Sequence, residues 1–193
     1  MALILASKSP RRQALLRQLG LSFTVRVTDA DETMDKTLPP QEEVARVSAV
    51  KAAAAAAVEA PEDVVIAADT IVVVDRTILG KPASSEEAAA MLRLLSGREH
   101  RVMTGLTVRQ GSRAVTHTEV TDLRFRALSD AEIRTYVATG DPLDKAGAYG
   151  IQGMAGAFVE AIRGDYFNVM GLPLCSLTQL LRPFGVEVLG EKG

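Results

Sequence analysis

The sequence predicts an α/β or mixed-sheet fold. Short apolar runs alternate along the chain with capped segments of helical period. The run "DVVIAADTIVVVD" (63–75) is too continuously apolar to be half exposed and belongs in the centre of a sheet. The stretch "HRVMTGLTVRQGSRAVTHTEVTDLRFR" (100–126) reads as two long strands around a turn near Gln110 to Ser112.

Taken in order, "LILA" (3–6) is a short buried strand. Ser9 follows as a helix N-cap, with Pro10 at the first helical position. Leu15, Leu16 and Leu19 give that helix an apolar face, and Gly20 stops it. A second short strand is expected near "SFTVRV", and the polar stretch "TDADETMDKTLPP" reads as a loop. A helix then runs from about Glu42 to Ala60, its six consecutive alanines being good helix material. Beyond the central strand, "SSEEAAAMLRLLSG" is another capped helix, and "LSDAEIRTYVATG" sets Ser129 and Glu132 in capping-box spacing before ending at Gly140. Glycines recur at 147, 150, 153 and 156 in "KAGAYGIQGMAGAFVEAIRGDYFNVMGLPL". Their spacing is not the dinucleotide fingerprint, and no Walker-type phosphate loop occurs; irregular, closely packed backbone is expected there.

At 193 residues the chain suits one large domain or two small lobes, and with no long repeat or linker a single domain over 1–193 is expected. A net charge of −2 argues against a general nucleic-acid binder, so any anion site must be a local cluster. The single Cys175 excludes an internal disulfide. It is expected to be a buried structural thiol rather than a nucleophile. With no leader and no apolar stretch of spanning length, a cytoplasmic location away from membranes is the expectation.

Three features resist explanation by core pattern alone. Arg11 and Arg12 stand in the first turn of the first helix, where the helix end is already positive. Two readings stay open: an anion docked at that end, with Ser7 and Ser9 donating beside it, or outward arginines paired with surface carboxylates. Lys51 lies on the helical face traced by Val44, Val47, Ala54, Ala55 and Val58, so its ammonium points to the interior or a cleft unless it snorkels along the surface. Asp69, followed by Thr70, interrupts the apolar central strand, where a carboxylate is costly unless paired, hydrogen-bonded or bound to metal. A structural tie to a loop is the alternative to a functional role, and function is favoured.

Lys81 in "LGKP", taken alone, reads as a surface lysine; with Arg11, Arg12 and Lys51 it makes four cations, a sensible number for a triphosphate. Acidic residues of the 29–32 loop, especially Glu32, would with Asp69 hold a divalent ion whose other ligands are phosphate oxygens. His100 and His117 have neither zinc-site nor Ser-His-Asp spacing and read as structural or exposed.

As a set, "ASKSPRRQALLRQLG", "AADTIVVV" with "LGKP", "MLRLLSGREHRVMTGL" and "PLDKAGAYGIQGMAGAFVEAIRGDYFNVMGLPL" resemble the Maf-like nucleoside triphosphate pyrophosphatase family, once described as septum-formation inhibitors. The resemblance is collinear over nearly the whole chain. It implies a Maf/inosine triphosphatase-like α/β fold, an elongated mixed β-sheet flanked by helices with two lobes around a central cleft. It also implies hydrolysis of a nucleoside triphosphate to monophosphate and pyrophosphate, a divalent metal such as Mg2+ or Mn2+, a cytoplasmic location and a homodimer. By motif, Ser7, Arg11, Arg12, Lys51, Asp69 and Lys81 match family site positions, and Glu32 matches an acidic position through a loop without strong local motif.

Arg11, Thr70 and Gln152 match the positions that divide the family by substrate, and here they resemble the dTTP/UTP branch; the 7-methyl-GTP branch carries a Glu at the place of Gln152. Without the resemblance, Gln152 would read as a structural amide. With it, one donor and one acceptor suit O4 and N3–H of thymine or uracil. The resemblance then gives Asp69 the attacking water, as general base or metal ligand. Arg12, Lys51 and Lys81 take the phosphate charge, and Arg11 and Gln152 choose the base, with Thr70 beside the site. A pyrophosphatase of purine or modified nucleotides, and a non-catalytic division-regulating protein, are the competing readings.

Overall fold

The computed structural model describes residues 1–27, 29–35 and 37–189. Strand β1 (Leu3–Leu5) leads into helix α1 (Pro10–Gln18), and the short strand β2 (Thr24–Val25) precedes α2 (Pro40–Ala56). Strands β3 (Val64–Val74) and β4 (Thr77–Leu79) come before α3 (Ser85–Leu95). Then follow β5 (Glu99–Gln110), β6 (Arg113–Phe125), α4 (Asp130–Ala138), β7 (Val159–Arg163), α5 (Tyr166–Met170) and α6 (Leu174–Leu181).

The strands are ordered β2-β1-β3-β5-β6-β7, with β4 also on β3. Strand β1 is parallel to β2 and β3, whereas β3–β4 and β6–β7 are antiparallel, so the sheet is mixed, as predicted. Strand β3 holds the central place expected of it, and its burial slackens only at Asp69 and Thr70. Serine caps start three helices: the hydroxyls of Ser9, Ser84 and Ser129 accept from the backbone amides of Arg12, Glu87 and Glu132, and the capping box at Ser129 is complete.

The chain divides into two compact units. One comprises Met1–Asp69, Thr104–Glu119 and Gly171–Gly193; the other comprises Thr70–Met103 and Val120–Met170. In the first, Ala52 and Ala55 of α2 pack on Ile4, Ala6, Val65 and Ala67. Small residues let this helix come close: a Cβ on Gly105 would lie 2.5 Å from the carbonyl carbon of Val44 and 2.8 Å from the Ala45 nitrogen. The second unit is built around edge-on rings. Phe125 meets His100 and Tyr149 at 4.8 Å and Phe158 at 6.0 Å, and Tyr136 meets Phe158 at 5.3 Å. His100 is buried against the Tyr149 hydroxyl at 2.8 Å, and burial pushes its imidazole down to about 4; His117 is exposed beside Glu119.

Three expectations need correction. Helix α2 begins at Pro40 and ends at Ala56 rather than running from about Glu42 to Ala60, because proline fits the first helical turn and the chain turns after Ala57. Its buried residues are Glu43, Val44, Val47, Ser48, Ala52 and Ala55, so Ala54 is only half-buried and Val58, beyond the helix end, is exposed. Cys175 is exposed, not buried: the apolar stripe of α6 is Leu174, Leu177 and Leu181, and Cys175 falls beside it. Within the Gly-rich segment, irregular 3₁₀ turns and β7 occur as expected, and α5 adds a short helix that the sequence reading lacks. No helix among the described residues is long and apolar enough to cross a membrane.

Candidate functional site

The first unit brings most of the singled-out residues together where β1 gives way to α1. Ser7 is buried, and its hydroxyl accepts from the Ser9 amide at 3.2 Å and from Arg12 Nη1 at 3.2 Å. Ser9 caps α1, so its hydroxyl is turned to the helix's own amides. Arg12 is drawn inward: its Nε donates to the Gly171 carbonyl at 2.7 Å, which fixes the plane of the guanidinium. Burial pulls the Arg12 guanidinium below its ordinary range; Asp69 acts against that, Arg11 reinforces it and Glu32 opposes it. Arg12 therefore shares one local field with Arg11 and the two carboxylates.

Beside this turn lies a charge centre. Lys51 of α2 donates to Asp69 Oδ1 of β3 at 2.7 Å, and its ammonium is 2.9 Å from Glu32 Oε2. The Lys51 and Asp69 side chains are each 13% exposed, whereas Glu32 is 59% exposed, so one carboxylate is set in the sheet and the other reaches in from the loop. That resolves Lys51 against snorkelling: it meets the one carboxylate of the central strand.

A second ion pair, which the sequence reading passed over, holds the acidic loop. Glu43 is fully buried and bound twice by Arg46, at 2.8 and 2.7 Å. Glu43 Oε1 also accepts the Asp35 amide at 2.7 Å, and Arg46 Nη2 donates to the Thr33 carbonyl at 2.7 Å. These bonds tie both sides of Thr33–Asp35 to the first turns of α2, one residue after Glu32. Arg46 and the Asp35 amide hold the Glu43 carboxyl below the usual carboxylate range despite the opposing effect of burial. The available signal was an oppositely charged i, i+3 pair following an acidic loop.

The second unit carries Thr70, Lys81 and Gln152. Thr70 follows Asp69 on β3, and alternation along the strand gives the two residues opposite faces. Lys81 is exposed just after β4, and the preceding Gly80 carbonyl accepts the Gly147 amide at 3.0 Å. Gln152 is exposed in the turn from Gly150 to Gly153, which is closed by a 3.1 Å bond from the Gly153 amide to the Gly150 carbonyl.

Among the described residues no group of three or more His, Cys, Asp or Glu side chains could hold a metal ion. Asp69 and Glu32 nevertheless set carboxylate oxygens, the hard donors that Mg2+ or Mn2+ takes, on the one Lys51 ammonium.

In this mixed-sheet α/β protein a cationic strand-to-helix turn stands beside a lysine–carboxylate centre, an arrangement whose chemistry suits an anionic, phosphorylated ligand. The family model described as "Maf-like protein" matches residues 2–184, and the chain belongs to that family. It is 50% identical over 186 residues to a protein of Symbiobacterium thermophilum named dTTP/UTP pyrophosphatase, covering 96% of this chain and 95% of that one. Proteins of the same name from Moorella thermoacetica and Bacillus pumilus are 51% and 46% identical, covering 98% and 95% of this chain and 98% and 97% of theirs.

Proposed function

We propose that this protein hydrolyses nucleoside triphosphates, dTTP and UTP foremost, to the monophosphate and pyrophosphate. The observation that carries the reading is the Lys51 ammonium shared by Asp69 and Glu32 beside the Arg12-lined turn. Relatives about half identical over nearly their whole length and named dTTP/UTP pyrophosphatase support the same substrates. In the proposed step the Asp69 carboxylate orients a water and takes its proton while the water oxygen bonds to the α-phosphorus. The bond from that phosphorus to the oxygen bridging to the β-phosphate breaks, and pyrophosphate leaves with the electron pair. Arg12, Lys51 and Lys81 neutralise the charge that grows on the phosphate oxygens.

Glu32 and Asp69 are the residues that would hold a divalent ion. A bound ion of that kind supplies charge neutralisation and a more acidic water. Ser7 and Ser9 border the phosphates, Arg11 and Gln152 select the base, and Thr70 lies nearby. Gln152 offers a donor and an acceptor, which match the O4 and N3–H edge shared by thymine and uracil.

Pyrophosphate and phosphate release, measured with Mg2+ or Mn2+ over a panel of pyrimidine, purine and modified nucleoside triphosphates, tests the proposal. UTP and dTTP should lead the panel and yield pyrophosphate. The Asp69→Asn variant should fold and lose more than about a hundredfold in rate. A folded Asp69→Asn protein of undiminished rate would remove Asp69 from its role, and a purine leader would overturn the substrate assignment.

A further inference from the structure

Gln152 sits on a four-residue turn whose own sequence does little to fix it. The Gly150–Gly153 turn has glycine at both ends, and a single backbone bond of 3.1 Å closes it. A side chain meant to discriminate bases needs a firmer mount, because a hydrogen-bonding pair that wanders accepts several partners.

The mount lies beneath the turn. Tyr136 of α4 is 1% exposed, its ring packed edge-on to Phe158, and only its hydroxyl emerges toward the turn. That hydroxyl accepts the Gly150 amide at 3.2 Å and donates to Asp141 Oδ2 at 2.7 Å. Lys145 in turn holds Asp141, donating to its carboxylate Oδ1 at 2.9 Å and its carbonyl at 2.7 Å, and reaches Asp144 at 2.7 Å. The Lys145 stem also fills the space beside Gly150, where an added Cβ would lie 2.7 Å from its Cε. The first residue of the turn is thus held through its amide by a hydroxyl and flanked at its Cα by an aliphatic chain.

We infer that Tyr136 is a positioning residue for base selection: its hydroxyl, aimed by Asp141 and Lys145, fixes the Gly150 end of the turn that presents Gln152. The inference rests on the proposal that Gln152 reads the base. Tyr136 is too deep to touch a nucleotide and acts only through the turn. A tyrosine used merely to fill the core would serve equally well as phenylalanine; the hydroxyl and its two bonds are what the inference requires.

The test compares wild type, Tyr136→Phe and Gln152→Ala, with kcat and KM measured for UTP and CTP in the presence of divalent metal. CTP differs from UTP by a donor in place of O4 and an acceptor in place of N3–H, so the ratio of the two kcat/KM values reports Gln152 placement directly. Tyr136→Phe should lower the UTP:CTP ratio by about five- to tenfold, mainly through KM for UTP, because one buried hydrogen bond anchors the turn. General destabilisation would instead scale both nucleotides alike and leave the ratio unchanged. A collapsed ratio in Gln152→Ala with an unchanged ratio in Tyr136→Phe overturns the positioning role. An unchanged ratio in Gln152→Ala overturns the base-reading assignment itself, and the inference with it. Asp141→Ala, which keeps the Tyr136 ring in the core and removes the group that aims its hydroxyl, reads the same ratio if Tyr136→Phe does not fold.

Discussion

Lys51 and Asp69 stand out in the sequence because each breaks an apolar pattern, and the structure joins those two breaks at 2.7 Å. A polar residue at a core position is legible wherever the surrounding period is strong. Glu43 was harder to see, since acidic residues are ordinary in a first helical turn and only the packed loop makes this one buried. Its direct hold on the Asp35 amide, with the hold of Arg46 on the Thr33 carbonyl, pins the loop just after Glu32. Glu43→Gln keeps an acceptor for the Asp35 amide but loses the charged pair with Arg46. It should raise the metal concentration for half-maximal activity about tenfold, as losses of supporting contacts around a metal commonly do. At saturating metal, kcat should stay within about twofold. A metal titration of the variant checks this; an unchanged requirement would detach the loop from metal binding.

At the scale of elements, caps and apolar runs carried most of the information. Ser9 and Ser129 each cap the helix they are expected to begin, and Ser84 caps the helix of "SSEEAAAMLRLLSG", because the hydroxyl satisfies amides that no intrahelical carbonyl reaches. The alanine run does not mark the end of α2 at Ala56, since alanine propensity is indifferent to where tertiary support stops. The exposure of Cys175 and the helix at Tyr166–Met170 depend on neighbours distant in sequence, and no local period announces them. The contact of α2 with β5 likewise appears only in three dimensions. Gly105→Ala would press a methyl into the backbone at Val44 and Ala45, atoms that cannot rotate away. The variant should lose about 3 kcal/mol of stability, read as a lower urea midpoint with unchanged slope.

For the whole molecule, the alternation of strands and helices foretold the mixed sheet and its central strand, but not the order β2-β1-β3-β5-β6-β7, which is set by how the elements pack. The two compact units each have their own core, one of alanines and aliphatic residues and one of edge-on rings. The candidate residues fall in both: the arginine turn and the lysine–carboxylate centre belong to the first, Lys81 and the mounted Gln152 turn to the second. In the proposed mechanism water attacks the α-phosphorus of a pyrimidine nucleoside triphosphate. Hydrolysis of UTP in 18O-labelled water, followed by mass spectrometry of both products, tests it most directly. The label should appear in the phosphate of UMP and not in pyrophosphate; label in pyrophosphate would place the attack on the β-phosphorus and contradict the mechanism.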